Sequence, residues 1–219
     1  MLRPRLDTLP EPQRSLWSEL ADLPPGFVLY GGTALALRLG HRVSEDFDFF
    51  SPNELLPDEL ERRIPFLAGS MRLQSSPNTL VSRVERDGPI KVSFFGGLSL
   101  RRVRDPEPAE DTGVLVASLL DLAATKVKVV QDRAEAKDYL DISRILEEKI
   151  DLRSALGAAL AVYGPSFNPL VSLKALSYFG DGDLRSLPPE VCSGLLEAVR
   201  RVDPTALPEV QPLPGGLAP

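Results

Sequence analysis

Asp46 and Asp48 stand two residues apart in the run Asp46-Phe47-Asp48-Phe49-Phe50. On a strand, residues two apart project from one face, so both carboxylates would enter the same space. Two neighbouring anions are costly unless a positive charge lies between them. Mg²⁺, or Mn²⁺ in its place, resolves this, because a hard cation takes carboxylate and phosphate oxygens together. The pair Gly31 and Gly32 comes earlier, with Gly32 14 residues before Asp46. Two residues without a Cβ at the join of a strand and a helix let the backbone approach a ligand closely. The helix start then offers unpaired N–H groups and a positive dipole end to an anion such as a triphosphate, and Thr33 can add a hydroxyl donor. The implied chemistry is in-line attack on an α-phosphorus, with metal ions neutralising charge and orienting the pyrophosphate. The plainer alternatives are a tight turn and a solvated strand face carrying two acids.

The elements that must hold these groups are legible. Phe27 to Tyr30 reads as a short buried strand, Thr33 to Leu39 as a helix running to Gly40, and Phe47 to Phe50 as a second strand. Before them, Glu11 to Leu23 has Leu16, Leu20 and Leu23 at helical spacing, with Trp17 on the same flank. After them comes a helix from Pro57 to Ala68, interrupted at Pro65. Strand-like runs follow over Met71 to Gln74, Thr79 to Glu85 and Ile90 to Phe95, the last two joined by the turn Arg86-Asp87-Gly88-Pro89. Arg101 to Gly113 reads as a loop or an edge strand. From Ser118 the period becomes helical, with Leu119, Leu122, Ala123, Val127 and Val130 on one face and Tyr139, Ile142 and Ile145 opening the next stripe. Further helices are expected over Leu152 to Tyr163, Pro169 to Phe179 and Glu190 to Arg200. The expected organisation is an α/β domain over 1–113 and a helical domain over 114–203. The tail at 204–219, rich in Pro and Gly, is expected to lack fixed structure.

Composition excludes several classes. Hydrophobic residues make up 43% and charged residues 26%, values of an ordinary globular chain rather than a disordered one. No stretch approaches the roughly 20 apolar residues that span a bilayer, and the first residues lack the apolar core of a secretory signal. A cytoplasmic location without membrane contact is therefore expected. Cys192 is the only cysteine, so no internal disulfide can form. The net charge of −6 argues against broad, sequence-blind nucleic-acid binding. A local basic surface from Arg101, Arg102, Arg104, Lys126 and Lys128 remains open, with an exposed loop and an ordinary helix face as the alternative.

The string from Gly31 to Phe50, GGTALALRLGHRVSEDFDFF, resembles the first motif of the AbiEii/AbiGii toxin family of nucleotidyltransferases. Lys126 with Arg133, Lys137, Asp138 and Asp141 resembles that family's downstream helical motif. Lys174-Ala175-Leu176-Ser177-Tyr178-Phe179, followed by Asp181, resembles a further segment without evident chemistry. The similarity covers roughly Gly26 to Pro189. It implies an α+β fold: a nucleotidyltransferase-like mixed β-sheet flanked by helices, followed by a C-terminal helical bundle. It also implies a nucleoside triphosphate as substrate, a tRNA or other RNA or a protein as acceptor, and a cognate antitoxin as partner. By the same resemblance Asp46 and Asp48 hold the metal and catalyse, Lys126 contacts the triphosphate and Asp141 assists. Gly31, Gly32 and Thr33 cradle the nucleotide, with Arg42 as a further phosphate contact. Lys137 and Asp138 read as a solvated charge network instead.

The pattern departs from the wider superfamily at one position. Many of those enzymes carry a third carboxylate on a later strand, and here that position falls on Ser93. Glu85 or Asp141 could substitute. Two other readings therefore stay open: a non-catalytic module that keeps the fold to bind nucleotide, RNA or protein, and a metabolic nucleotidyltransferase with a small acceptor. His41, the only histidine, can form no triad or zinc cluster with other histidines.

Overall fold

Phe47 and Phe49 alternate with Asp48 and Phe50, and this two-residue period sets how the central strand lies. The computed structural model describes Met1–Pro219. In chain order its regular elements begin with α1 (Glu11–Trp17), β1 (Val28–Tyr30), α2 (Gly31–Leu39), β2 (Phe47–Phe50) and α3 (Pro57–Arg63). The strands β3 (Met71–Ser76), β4 (Thr79–Glu85), β5 (Pro89–Phe95), β6 (Glu107–Pro108) and β7 (Leu115–Val116) follow. The helices α4 (Leu119–Val129), α5 (Ala136–Glu147), α6 (Leu152–Tyr163), α7 (Pro169–Ala175) and α8 (Pro189–Arg200) complete the chain. All strands join one mixed sheet of order β3-β4-β5-β2-β1-β7-β6, in which β2 runs parallel to β5 and antiparallel to β1. No helix is long and apolar enough to cross a membrane.

The chain divides into two compact units. One comprises Met1–Leu100, Asp105–Ser118 and Pro214–Pro219, and the other Arg101–Arg104 and Leu119–Leu213. In the first, the apolar sheet face is held by Phe47 and Phe49, both fully buried. Trp17 stacks on Phe47 at 6.2 Å and Phe94 on Phe49 at 5.4 Å. Burying each such ring contributes about 1.5–3 kcal/mol, so β2 cannot slip by one residue without losing both anchors. Phe50 does not share that face: it stacks on Tyr30 at 4.9 Å, on the side where Asp48 projects. In the second unit, Leu122, Ala123, Val127 and Val130 are buried as their spacing predicts, and α4 packs against the small residues of α6.

Two of the expected elements come out differently. The first helix ends at Trp17 and gives way to a tighter 3-10 turn over Ser18–Asp22. Arg101 to Gly113, expected as a loop or an edge strand, contributes β6 at the sheet's edge, and β7 follows just after it. The tail is not structureless: Leu213 N–H donates to Arg102 O at 2.7 Å, and Leu217 and Ala218 are buried. Proline and glycine deny the tail a regular ladder, but they do not prevent its apolar side chains from finding cover.

Candidate active site

Asp46 immediately precedes β2 and Asp48 lies within it, so the strand period puts both on the face opposite Phe47 and Phe49. Asp48 pairs in register with Tyr30 on β1 and with Ser93 on β5. Tyr30 is the last residue of β1, and α2 begins at the next residue. That adjacency brings the Asp48 carboxylate to the helix start. A Cβ built on Gly31 would lie 2.8 Å from Asp48 Oδ2, and Gly31 itself has φ +75°. A Cβ on Gly32 would lie 2.5 Å from Arg42 Nη2. The room that the two glycines make, assigned from sequence to a ligand, is thus taken by an acid and a guanidinium at the first turn of α2. The positive end of a helix suits a carboxylate there.

Gly31→Ala is accordingly expected to destabilise the protein by about 1–3 kcal/mol, from the left-handed backbone alone. Urea unfolding measures it. A change of only a few tenths of a kcal/mol would remove this account of the glycine.

Thr33 is placed differently from its expected role. It is 1% exposed, and its Oγ1 donates to Ser44 Oγ at 2.8 Å and lies in a short contact with Asp46 O. It ties α2 to the approach of β2 and positions Asp46, instead of offering a hydroxyl to a phosphate. Arg42 Nη1 donates to Val43 O at 3.0 Å, which fixes its guanidinium over Gly32.

Lys91 is a residue that sequence reasoning missed. Its Nζ meets Asp46 Oδ2 at 3.0 Å, with both side chains about half exposed. Its signal was present: Lys91 and Ser93 alternate with Val92 on a strand that pairs with β2. Only the pairing of non-consecutive strands reveals which acid it faces.

The donor set fits a divalent cation of the Mg²⁺ type. Two carboxylates share a face, and Ser93 Oγ, beside Asp48 in the ladder, is buried without a hydrogen-bond partner. No group of three or more His, Cys, Asp or Glu side chains is gathered to hold a metal. A cation here would complete its shell with water and phosphate oxygens, as Mg²⁺ commonly does. Glu85 does not replace the missing third carboxylate. It lies four residues along β4 from Val81, the partner of Ser93, and it pairs with Arg83 at 2.9 Å. Four residues of strand amount to roughly 13 Å.

In the second unit, Lys126 on α4 is almost fully buried, meeting Asp138 Oδ1 at 2.7 Å and Asp141 Oδ2 at 2.6 Å. Arg133 donates to Asp138 through Nε at 2.8 Å and Nη2 at 3.2 Å. Asp138, expected to be solvated, is 0% exposed and bridges both cations. Burial alone would push its carboxyl up; the Arg133 hydrogen bonds and the Lys126 charge outweigh this and hold it below 3.8. Lys137 does lie at the surface, paired with Glu135 at 2.8 Å. The expected basic surface is thinner than its residue count: Arg102 and Lys126 are buried, and Lys128 is paired with Asp132 at 2.6 Å.

Over residues 14–211 the sequence matches the family described as Nucleotidyl transferase AbiEii toxin, Type IV TA system. The chain belongs to this family of nucleotidyltransferase toxins. Its fold is similar to that of MenT4, a nucleotidyltransferase toxin of Mycobacterium tuberculosis H37Rv. That match has a TM-score of 0.61 at 16% identity, covering 86% of this chain and 83% of that one. A candidate nucleotidyltransferase from H. pylori aligns with a TM-score of 0.52 at 21% identity, over 86% of this chain and 90% of that one. An uncharacterized protein of Aquifex aeolicus (strain VF5) is 38% identical over 118 residues, 53% of this chain. The chain covers 55% of that relative's length.

Proposed function

We propose that the chain transfers a nucleotide from a nucleoside triphosphate to an RNA of the tRNA kind, or to a protein, with Mg²⁺ or Mn²⁺ and release of pyrophosphate. A cognate antitoxin would restrain it. The observation that carries this reading is the Asp48 carboxylate lying against Gly31 at the start of α2, on the face it shares with Asp46. Asp46 and Asp48 would hold the cation, which when bound supplies positive charge for the phosphoryl oxygens. Lys91 shares the charge of Asp46 and limits how far that side chain can swing. Arg42, fixed over Gly32, presents a cation that no proton transfer can remove at neutral pH, suited to phosphate oxygens. Thr33 keeps Asp46 in register with α2.

Lys126 and Asp141, which the family motif assigns to the triphosphate and to catalysis, hold each other in a buried ion pair. Lys126 acts on phosphate in this reading only if that pair opens when substrate binds.

Each labelled nucleoside triphosphate is incubated with the chain, Mg²⁺ and total tRNA. Label in RNA is expected; label in protein instead makes the acceptor a protein. A second reading, a binding module without catalysis, is favoured by Ser93, whose neutral hydroxyl stands beside Asp48 where a third acid would add charge. Nucleotide binding without transfer at any divalent metal would establish that second reading and end the first.

A further inference from the structure

The segment Lys174 to Asp181 has no part in the chemistry above, yet it builds one side of a pocket lying wholly within the helical unit. The pocket has a volume of about 340 Å³ and lies between the turn joining α4 to α5 and the end of α7. That size is within the range of small-ligand sites. Val130, Tyr139 and Ala175 give it apolar walls. Tyr178 on its lip is 58% exposed.

The geometry is built, not incidental. A Cβ on Gly180 would lie 2.4 Å from Tyr178 Oη and 2.6 Å from its Cζ, so the bare backbone of Gly180 lies against the hydroxyl end of the ring. Gly182, at φ +54°, approaches Ala134 so closely that a Cβ would lie 2.3 Å from its carbonyl oxygen. Asp183 Oδ1 accepts from Ala136 N–H at 2.7 Å and fastens the same loop to the start of α5. Tyr178 thus meets this loop at its hydroxyl end, while more than half of its surface stays exposed. Lys174 lies in the last turn of α7, and Tyr178 follows the turn that ends it, its N–H donating to Ala175 O at 3.2 Å. Both line the pocket, and Lys174 is exposed. Of the other charges there, Arg133 is engaged by Asp138 and Asp132 by Lys128. Lys174 and Asp181 are the remaining charged residues that line it, and both are exposed.

We infer that this pocket binds one nucleotide, its base stacked on Tyr178, its phosphate on Lys174 and its polar edge toward Asp181. An aromatic face beside a cation suits a base and phosphate together, whatever the sequence. The nucleotide is either free or a residue of single-stranded RNA. The inference goes beyond the proposed reaction and does not depend on it.

The test is equilibrium binding by the full chain in EDTA, which silences any metal-dependent site on the sheet. AMP and CMP are titrated calorimetrically, and a fluorescein-labelled single-stranded RNA of eight nucleotides by anisotropy. Tyr178→Ala is expected to weaken binding about tenfold or more, and Tyr178→Phe to preserve it. Lys174→Gln should lower the slope of log affinity against log salt by about one for RNA. Circular dichroism confirms that the variants fold. Loss of mononucleotide binding in Tyr178→Ala makes the ligand a free nucleotide, and loss confined to the oligonucleotide makes it RNA; either supports the site. Wild-type protein that binds neither probe, or folded variants that bind both as wild type does, would overturn it. An antitoxin whose binding is lost in Tyr178→Ala while both nucleic-acid probes bind unchanged would also overturn it, by making the face a protein interface.

Discussion

Asp48→Asn is expected to lower nucleotide transfer by at least a hundredfold while leaving the fold in place. The substitution keeps size and hydrogen-bonding shape and removes one negative charge. That charge lies at the meeting of β1, β2 and the start of α2, where the backbone makes room for it at Gly31. A hundredfold corresponds to roughly 2.7 kcal/mol of barrier, within the several kcal/mol that a metal clamp supplies. The structural cost is smaller. Asp48 is not part of the buried face formed by Phe47 and Phe49, so what is lost is an anion near a helix N-terminus, about 0.3–1 kcal/mol. Single-turnover transfer and a thermal melt on the same preparation separate the two effects. Unchanged turnover in a folded Asp48→Asn protein would overturn the assignment of the acidic pair.

Lys126→Met is expected to cost about 3–5 kcal/mol of stability, because it removes a cation shared by two acids that are both 0% exposed. Arg133 still holds Asp138, which limits the damage on that side. For a chain of this size the melting temperature should fall by roughly 10 °C. A fall of only one or two degrees would mean that the cluster is not the buried network described. The pH dependence follows from Asp138, whose folded-state pKa is lowered from 3.8. A depressed carboxyl contributes stability that is complete above its unfolded value and is lost as pH falls through its folded one. The wild type should therefore lose stability below pH 3.8, and the loss should be shallower in Lys126→Met, where the shift is smaller. Activity of Lys126 variants is informative only at temperatures where their folded fraction matches that of wild type.

What the sequence determined by itself was everything that depends on local period and short spacing. The two-residue alternation around Asp46 and Asp48 put the acids on one face, and the break at Gly31 and Gly32 marked the strand-to-helix join. The 3.6-residue stripes from Leu119 onward announced the helical part. The family motifs extended this to the class of reaction. Tertiary structure alone decided which groups meet. Lys91 reaches Asp46 only because β5 pairs with β2 across more than forty residues of chain, and the same register seats Ser93 beside Asp48. Thr33 turned inward because Ser44 and the Asp46 carbonyl lay within reach of its hydroxyl. Asp138 and Asp141 look alike in sequence to any solvated pair on a helix. Their burial depends on two cations, one from α4 and one from the turn after it, and a desolvated carboxylate is stable only where such partners have been brought to it.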